Sequence, residues 1–133
     1  MFLKKYSTLA PLLIRIALGI IFIAHGYGKL FGGISQTSGF FSGLGIPVAG
    51  FFAVVVGIVE FFGGIAVLLG IFTRIAGTLV FVDMLVAFIL FHVKQGFFIP
   101  EGFEFVFMLG FGAASLVLSG AGKISLDRLI FKR

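Results

Sequence analysis

The chain has 133 residues, of which 60% are hydrophobic and only 11% charged. Soluble domains carry about 45–50% apolar and about 25% charged residues, so a water-facing surface of ordinary composition is excluded and the bilayer must be the main solvent. The net charge of +5 fits cytoplasmic lysines and arginines in a membrane protein rather than nucleic-acid binding, and the absence of cysteine excludes disulfides, thiol catalysis, iron–sulfur ligation and zinc–thiolate sites.

A transmembrane helix needs about 20 apolar residues, so four spans take up roughly 80–90 and leave only short loops. Residues 1–133 therefore read as a single transmembrane domain. The first apolar run, about 10–31, follows a short basic tail with Lys4 and Lys5. It is too long for the core of a signal peptide, carries Arg15 and lacks a small-residue exit, so it reads as a retained helix. Residues 32–47 are rich in Gly and Ser, but Phe40, Phe41 and Leu44 share one helical face, which predicts a small interfacial helix in that loop.

The second span is expected over about 48–69. Gly70 supplies its C-terminal cap, and Thr73 is expected to cap the third span, about 74–93, making a tight hairpin. Lys94–Gly102 contains Pro100 and forms the second loop. The fourth and shortest span is about 103–119, ended by Gly120-Ala121-Gly122, and Ser125-Leu126-Asp127 opens a short basic amphipathic helix over 125–133. The fold class is thus all-α: an integral membrane four-helix bundle, antiparallel. Lys4, Lys5, Arg74, Lys123, Arg128, Lys132 and Arg133 fall on one side and only Lys29 and Lys94 on the other, which places both termini in the cytoplasm. No internal repeat is evident.

An ionisable group within a span costs at least about 2.5–3.5 kcal/mol on insertion scales and needs a reason. With helices starting flush and rising 1.5 Å per residue, Arg15, Glu60 and Asp83 form a deep group, while His25, Lys29, His92 and Glu104 lie nearer the outer face. Arg15, Gly19, Phe22, Gly26 and Lys29 share one face of the first helix, where the glycines admit a close backbone or a ligand. Glu60 is expected to meet Arg15, a pairing that serves as a packing clasp or as part of a site. A polar cavity open to the outer face is expected among His25, Lys29, Glu60, Asp83 and His92, closed at the cytoplasmic end by Leu12, Ile16 and Leu68. These, with Arg15, are the ligand-binding or proton-handling candidates; no catalytic residue is assigned. Glu104 is expected to act as a dipole partner at its helix start.

Twenty phenylalanines would suit a flat apolar ligand such as a quinone, or simply face lipid. No metal site is expected, and haem is not, since His25 and His92 differ by about 6 Å in height. Ser119-Gly120-Ala121-Gly122-Lys123 lacks the upstream glycine and following Ser or Thr of a phosphate loop, so nucleotide binding is rejected.

In order along the chain stand Arg15-x3-Gly19, His25-Gly26-x2-Lys29, Gly45-Ile46-Pro47, Glu60-x2-Gly63-Gly64, Leu69-Gly70-x2-Thr73-Arg74 and Gly120-x-Gly122-x2-Ser125-Leu126-Asp127. This pattern resembles the DoxX family over nearly the whole chain, with Ala121 where the family often has proline. The resemblance implies a multi-pass protein of a bacterial or archaeal plasma membrane. It also marks Arg15, Lys29, Glu60 and Arg74 as important positions, with no catalytic role assigned to them. The family is named for a subunit of a membrane complex that oxidises sulfur compounds and reduces quinone.

Three functions compete. The first is a membrane subunit in quinone-linked redox chemistry, taking electrons from partner oxidoreductase subunits. The second is a non-enzymatic anchor or assembly factor for a partner complex, and the third a small solute or proton transporter. Whether the chain is an enzyme stays open, as does its oligomeric state, with a homo-oligomer admitted. The lipid bilayer is the one partner that composition requires.

Overall fold

The computed structural model describes residues 2–132, and the secondary structure among them is entirely helical. Met1 and Arg133 lie outside the described residues; the latter belonged to the expected cationic end and last helix. A 3-10 segment, Phe2–Leu9, leads into α1, Ala10–Leu30, and α2 follows at Ile34–Gly43. Next come α3, Ala49–Leu69, and α4, Thr73–Leu90, then a 3-10 turn at His92–Gln95. The last elements are α5, Glu104–Ser119, and the short α6, Leu126–Phe131. Three helical stretches, Leu3–Leu30, Ala49–Leu69 and Thr73–Leu90, are long and apolar enough to cross a membrane. The 16 residues of α5 are apolar too, though by its rise it reaches only about 24 Å.

Local chemistry explains these boundaries. Pro11 sits in the first turn of α1, where its missing N–H would have had no intrahelical partner. Gly70 ends α3 with φ of 69°, the left-handed conformation that costs a side-chain-free residue nothing, and its N–H turns back to the last α3 carbonyls. The Gly- and Ser-rich segment after α1 forms the whole of α2, longer than its composition suggested, because it lies along α3. Phe40 of α2 meets Phe91 beyond α4 edge to face at 5.0 Å.

α1 packs chiefly on α3 and α4 chiefly on α5, while α3 also borders α4 and α5 touches α1. The buried core is a run of Leu18, Phe22, Val67, Val80, Leu109 and Leu116 with their neighbours. Among the described phenylalanines only Phe22 belongs to it; Phe31, Phe51, Phe62, Phe107 and Phe111 are exposed. That exposed shell, with Leu13, Ile20, Ile58 and Ile89, has the apolar surface that hydrocarbon requires and water does not tolerate. The phenylalanines thus mostly coat the bundle rather than line a cavity.

Close approach of α1 and α3 depends on glycine. A Cβ on Gly64 would stand 2.7 Å from the Ile23 nitrogen, and one on Gly26 would collide with the Phe61 backbone. Without a large hydrophobic driving force between helices in lipid, such backbone proximity is what dispersion packing exploits. A Gly26→Val substitution should therefore lower stability by about 1–3 kcal/mol. Gly28→Ala, with open space beside it, should change it by less than about 0.5 kcal/mol. Thermal unfolding of both variants in detergent tests this; equal midpoints would refute the close-packed interface.

Candidate functional site

The register of α1 against α3 sets which charges can meet. Positions facing one another are Gly19 and Leu68, Gly26 and Phe61, and Leu30 and Gly57. The helices do not start flush. With Leu68 opposite Gly19, α1 begins roughly eight residues, or about 12 Å, beyond the end of α3. That offset corrects the expected Arg15–Glu60 pair. It carries Arg15 down to the α3 terminus and brings Lys29 level with Glu60. Lys29 Nζ donates to Glu60 Oε2 at 2.6 Å, the one ion pair among the described residues, with side chains 24% and 5% exposed.

Asp83 joins this pair from α4. Its carboxyl interacts with Glu60 and feels the charge of Lys29, and its Oδ2 is buried without a hydrogen-bond partner. Glu60 and Asp83 face each other because Val80, one turn earlier on α4, packs on Gly63 of α3. The result is a cluster of two carboxyls and one ammonium within the bundle. Lys29 also lines a shallow surface pocket of about 420 Å³, with His25, Gly28, Gln36 and Thr37. The same residue thus borders the pocket and bonds Glu60.

The expected outer cavity is therefore not formed as a single space. His25 and Lys29 line the pocket, Glu60 and Asp83 stand behind Lys29, and His92 is elsewhere. His92 lies in the 3-10 turn after α4, where its Nδ1 donates to Glu101 O at 2.7 Å. The His25 side is exposed, its ring 6.2 Å from Phe105. Gln36 and Thr37 were hidden in the Gly- and Ser-rich loop; only their place on a formed α2 brings them to the pocket. Among the described residues no group of three or more metal-type side chains comes together.

Arg15 belongs to a different construction. It is 2% exposed and donates four hydrogen bonds to backbone carbonyls. Nε goes to Val67 O at 2.9 Å and Nη2 to Leu68 O at 2.8 Å, while Nη1 takes Ala121 O at 2.8 Å and Ile124 O at 2.6 Å. The first two are terminal α3 carbonyls beyond the regular helical ladder, Val67 O also accepting from the Gly70 N–H. Nearby, Asp127 accepts from the Phe72 N–H at 2.7 Å and the Thr73 N–H at 3.0 Å, capping α4 from a distant segment. The expected cap, the Thr73 hydroxyl, makes no bond at all. Arg74 Nη1 donates to Val117 O and Leu118 O at the end of α5. Ser125 Oγ accepts from the Arg128 N–H, starting α6 as its sequence suggested.

This end is therefore not the plain apolar plug expected of Leu12, Ile16 and Leu68; Ile16 is exposed. Cations sit on helix C-termini and a carboxylate on a helix N-terminus, each matching the macrodipole. Glu104, at the start of α5, accepts from the Ile99 N–H at 2.9 Å and so fastens the preceding loop.

Comparison with known proteins adds the family. The DoxX family model matches residues 10–93. The chain is 34% identical over 130 residues to a Bacillus subtilis protein named "Putative oxidoreductase CatD", covering 98% of this chain and 93% of that one. It is 35% identical over 133 residues to "Uncharacterized membrane protein Rv3486" of Mycobacterium tuberculosis, covering 90% and 80%. It is 32% identical over 136 residues to "Inner membrane protein YqjF" of Escherichia coli, covering 98% and 99%. No solved structure matches the chain.

Two mutational outcomes follow from this geometry. In a double-mutant cycle, Lys29→Met and Glu60→Gln should show an interaction energy of about 0.5–3 kcal/mol, whereas Arg15→Met and Glu60→Gln should add within about 0.5 kcal/mol. Additive losses for the first pair would refute the ion pair as a stabilising contact. Arg15→Lys should lose at least about 3 kcal/mol despite keeping its charge, because an ammonium cannot reach four divergent carbonyls; unfolding in detergent measures it, and near wild-type stability would show that charge alone suffices.

Proposed function

This chain belongs to the DoxX family, and from that premise we propose that it is a membrane subunit in quinone-linked redox chemistry, seating a quinone ring at the pocket of His25, Lys29, Gln36 and Thr37. It is a multi-pass protein of a bacterial or archaeal plasma membrane. The observation that carries the reading is the position of Lys29, at once wall of the pocket and partner of Glu60.

The chemistry needs such a link. Reducing a quinone to a quinol takes two electrons and two protons. The electrons come from a partner oxidoreductase subunit, in keeping with the name of the Bacillus relative. The protons are the task of this chain. With both carboxyls ionised and Lys29 protonated, the cluster holds one excess negative charge; one proton shared by Glu60 and Asp83 balances it. In a low-dielectric setting a balanced cluster is the cheaper state, so a proton passed from Lys29 to the quinone is made good by the shared carboxyl proton. The cluster then takes one from the surroundings by way of His25, and two such transfers accompany the two electrons. Lys29 and the Gln36 and Thr37 side chains offer hydrogen-bond donors to quinone oxygens, and exposed His25 connects the pocket to its surroundings as a proton carrier.

The same reading arranges α1, α3, α4 and α5 as four antiparallel spans with both termini in the cytoplasm. Its supports are the facing positions of α1 and α3, and the gathering of Lys4, Lys5, Arg74, Lys123, Arg128 and Lys132 against Lys29 and Lys94. Single cysteines at Ser38 and Lys132 should then label from opposite sides of the membrane; labelling of both from one side excludes this topology.

Quinone seating is tested by gentle purification followed by mass spectrometry of retained small molecules. Wild type should hold a quinone above the level of the bulk lipid extract. Lys29→Met should lose about tenfold of it, the equivalent of one buried charge-assisted hydrogen bond, while Asp83→Asn should retain the quinone and slow its reduction. Wild-type protein with no more quinone than the surrounding lipid ends this reading. Loss of a partner complex on deletion, with Glu60→Gln and Asp83→Asn silent, would make the chain an anchor or assembly factor instead.

A further inference from the structure

The opposite end of the molecule carries a second, larger cavity, of about 690 Å³, which the quinone reading does not use. Its wall holds three cations, Arg74, Lys123 and Arg128, and one carboxylate, Asp127. The carboxylate is already committed: its two oxygens accept from the Phe72 and Thr73 N–H groups. Arg74 uses Nη1 on the α5 carbonyls, leaving its other N–H donors for a further acceptor. Lys123 and Arg128 have no ion-pair partner among the described residues. The cavity is thus electropositive by two charges, three against one.

A second observation points to a ligand with oxygen acceptors. Thr73, on the same wall, is fully buried, and its Oγ1 has no hydrogen-bond partner. A buried hydroxyl left unpaired costs free energy that an incoming acceptor would recover. Donors alone describe a phosphate. The edges of the cavity describe what carries it: Ile75 is 63% exposed and Phe131 42% exposed, and they continue the apolar shell that faces lipid. A free ion has no use for such a rim, whereas acyl chains lie along it.

We propose that this cavity binds the phosphate of an anionic phospholipid headgroup, with Arg74, Lys123 and Arg128 as its cationic contacts and Thr73 Oγ1 as a further donor. The site lies where the N-terminus of α4 and the C-terminus of α5 meet the level of headgroups. A bound lipid would bridge α4, the linker after α5, and α6. Clusters of lysine and arginine beside a span attract anionic lipid in general; here the cavity gives that attraction a defined place.

The test uses the full chain in neutral detergent, titrated with short-chain phosphatidylglycerol, short-chain phosphatidylcholine or inorganic phosphate, and reads the thermal midpoint. Phosphatidylglycerol should raise the midpoint saturably and phosphatidylcholine should not. The variant Lys123→Gln/Arg128→Gln, both exposed positions outside the Arg15 clasp, should bind phosphatidylglycerol about tenfold more weakly, as loss of charge-assisted hydrogen bonds implies. The control variant Lys4→Gln/Lys5→Gln removes the same charge from outside the cavity and should bind like wild type. Equal response to both lipids, or equal weakening in the control, would overturn the site. Saturation by inorganic phosphate at the same affinity as phosphatidylglycerol would overturn the lipid and leave free phosphate as the ligand.

Discussion

A guanidinium sealed inside an apolar bundle is the constraint on which the rest of this structure turns. Removing Arg15 from water costs several kcal/mol, and here the cost is offset by four hydrogen-bonded carbonyl oxygens together with the charge of Asp127. Those oxygens belong to the end of α3 and to the linker before α6, where helical N–H partners run out; Val67 O is shared between the guanidinium and the Gly70 N–H. The arginine and the helix ends thus solve one another's problem. Arg74 on the α5 carbonyls and Asp127 on the α4 amides repeat the arrangement with helix termini as partners. A deeply buried charge here marks architecture.

The charges near the other end of α1 behave differently. Lys29 has a single short partner, Glu60, and Asp83 has an oxygen with none. Where Arg15 directs four of its five N–H donors at fixed backbone carbonyls, this cluster has fewer donors than acceptors, and its lysine borders a pocket. A network with an unused acceptor can change its proton content without rearranging helices. Arg15 and Asp127 are engaged with backbone groups where helices end, whereas the Lys29 cluster keeps an unused acceptor.

Much of this was legible in the sequence. Hydrophobic runs and glycine punctuation located the apolar helices, and the Arg15, Gly19, Phe22 and Gly26 face was visible at helical spacing and is buried. Ser125 was legible as a cap because its partner lies three residues away. What stayed hidden was register. Nothing local tells how far α1 slides past α3, and a shift of about 12 Å exchanges one ionic partner for another. Asp127 illustrates the same limit: adjacent residues suggested that Thr73 would cap its own helix, while the actual acceptor is more than fifty positions away. Arg15 bonding to carbonyls was equally invisible, because a backbone oxygen carries no residue signature.

The span of those bonds has a consequence for how the protein is made. Two of the Arg15 acceptors, Ala121 and Ile124, lie 106 and 109 residues downstream. During synthesis α1 enters the membrane with its arginine before either acceptor exists. Until the later residues emerge, the guanidinium has only the Val67 and Leu68 carbonyls of α3, so its set of bonds is completed when the segment after α5 arrives. A helix made early is thereby fastened by residues made more than a hundred positions later. A chain interrupted before Ala121 would keep the Val67 and Leu68 carbonyls but leave Nη1 of the buried guanidinium without its two acceptors.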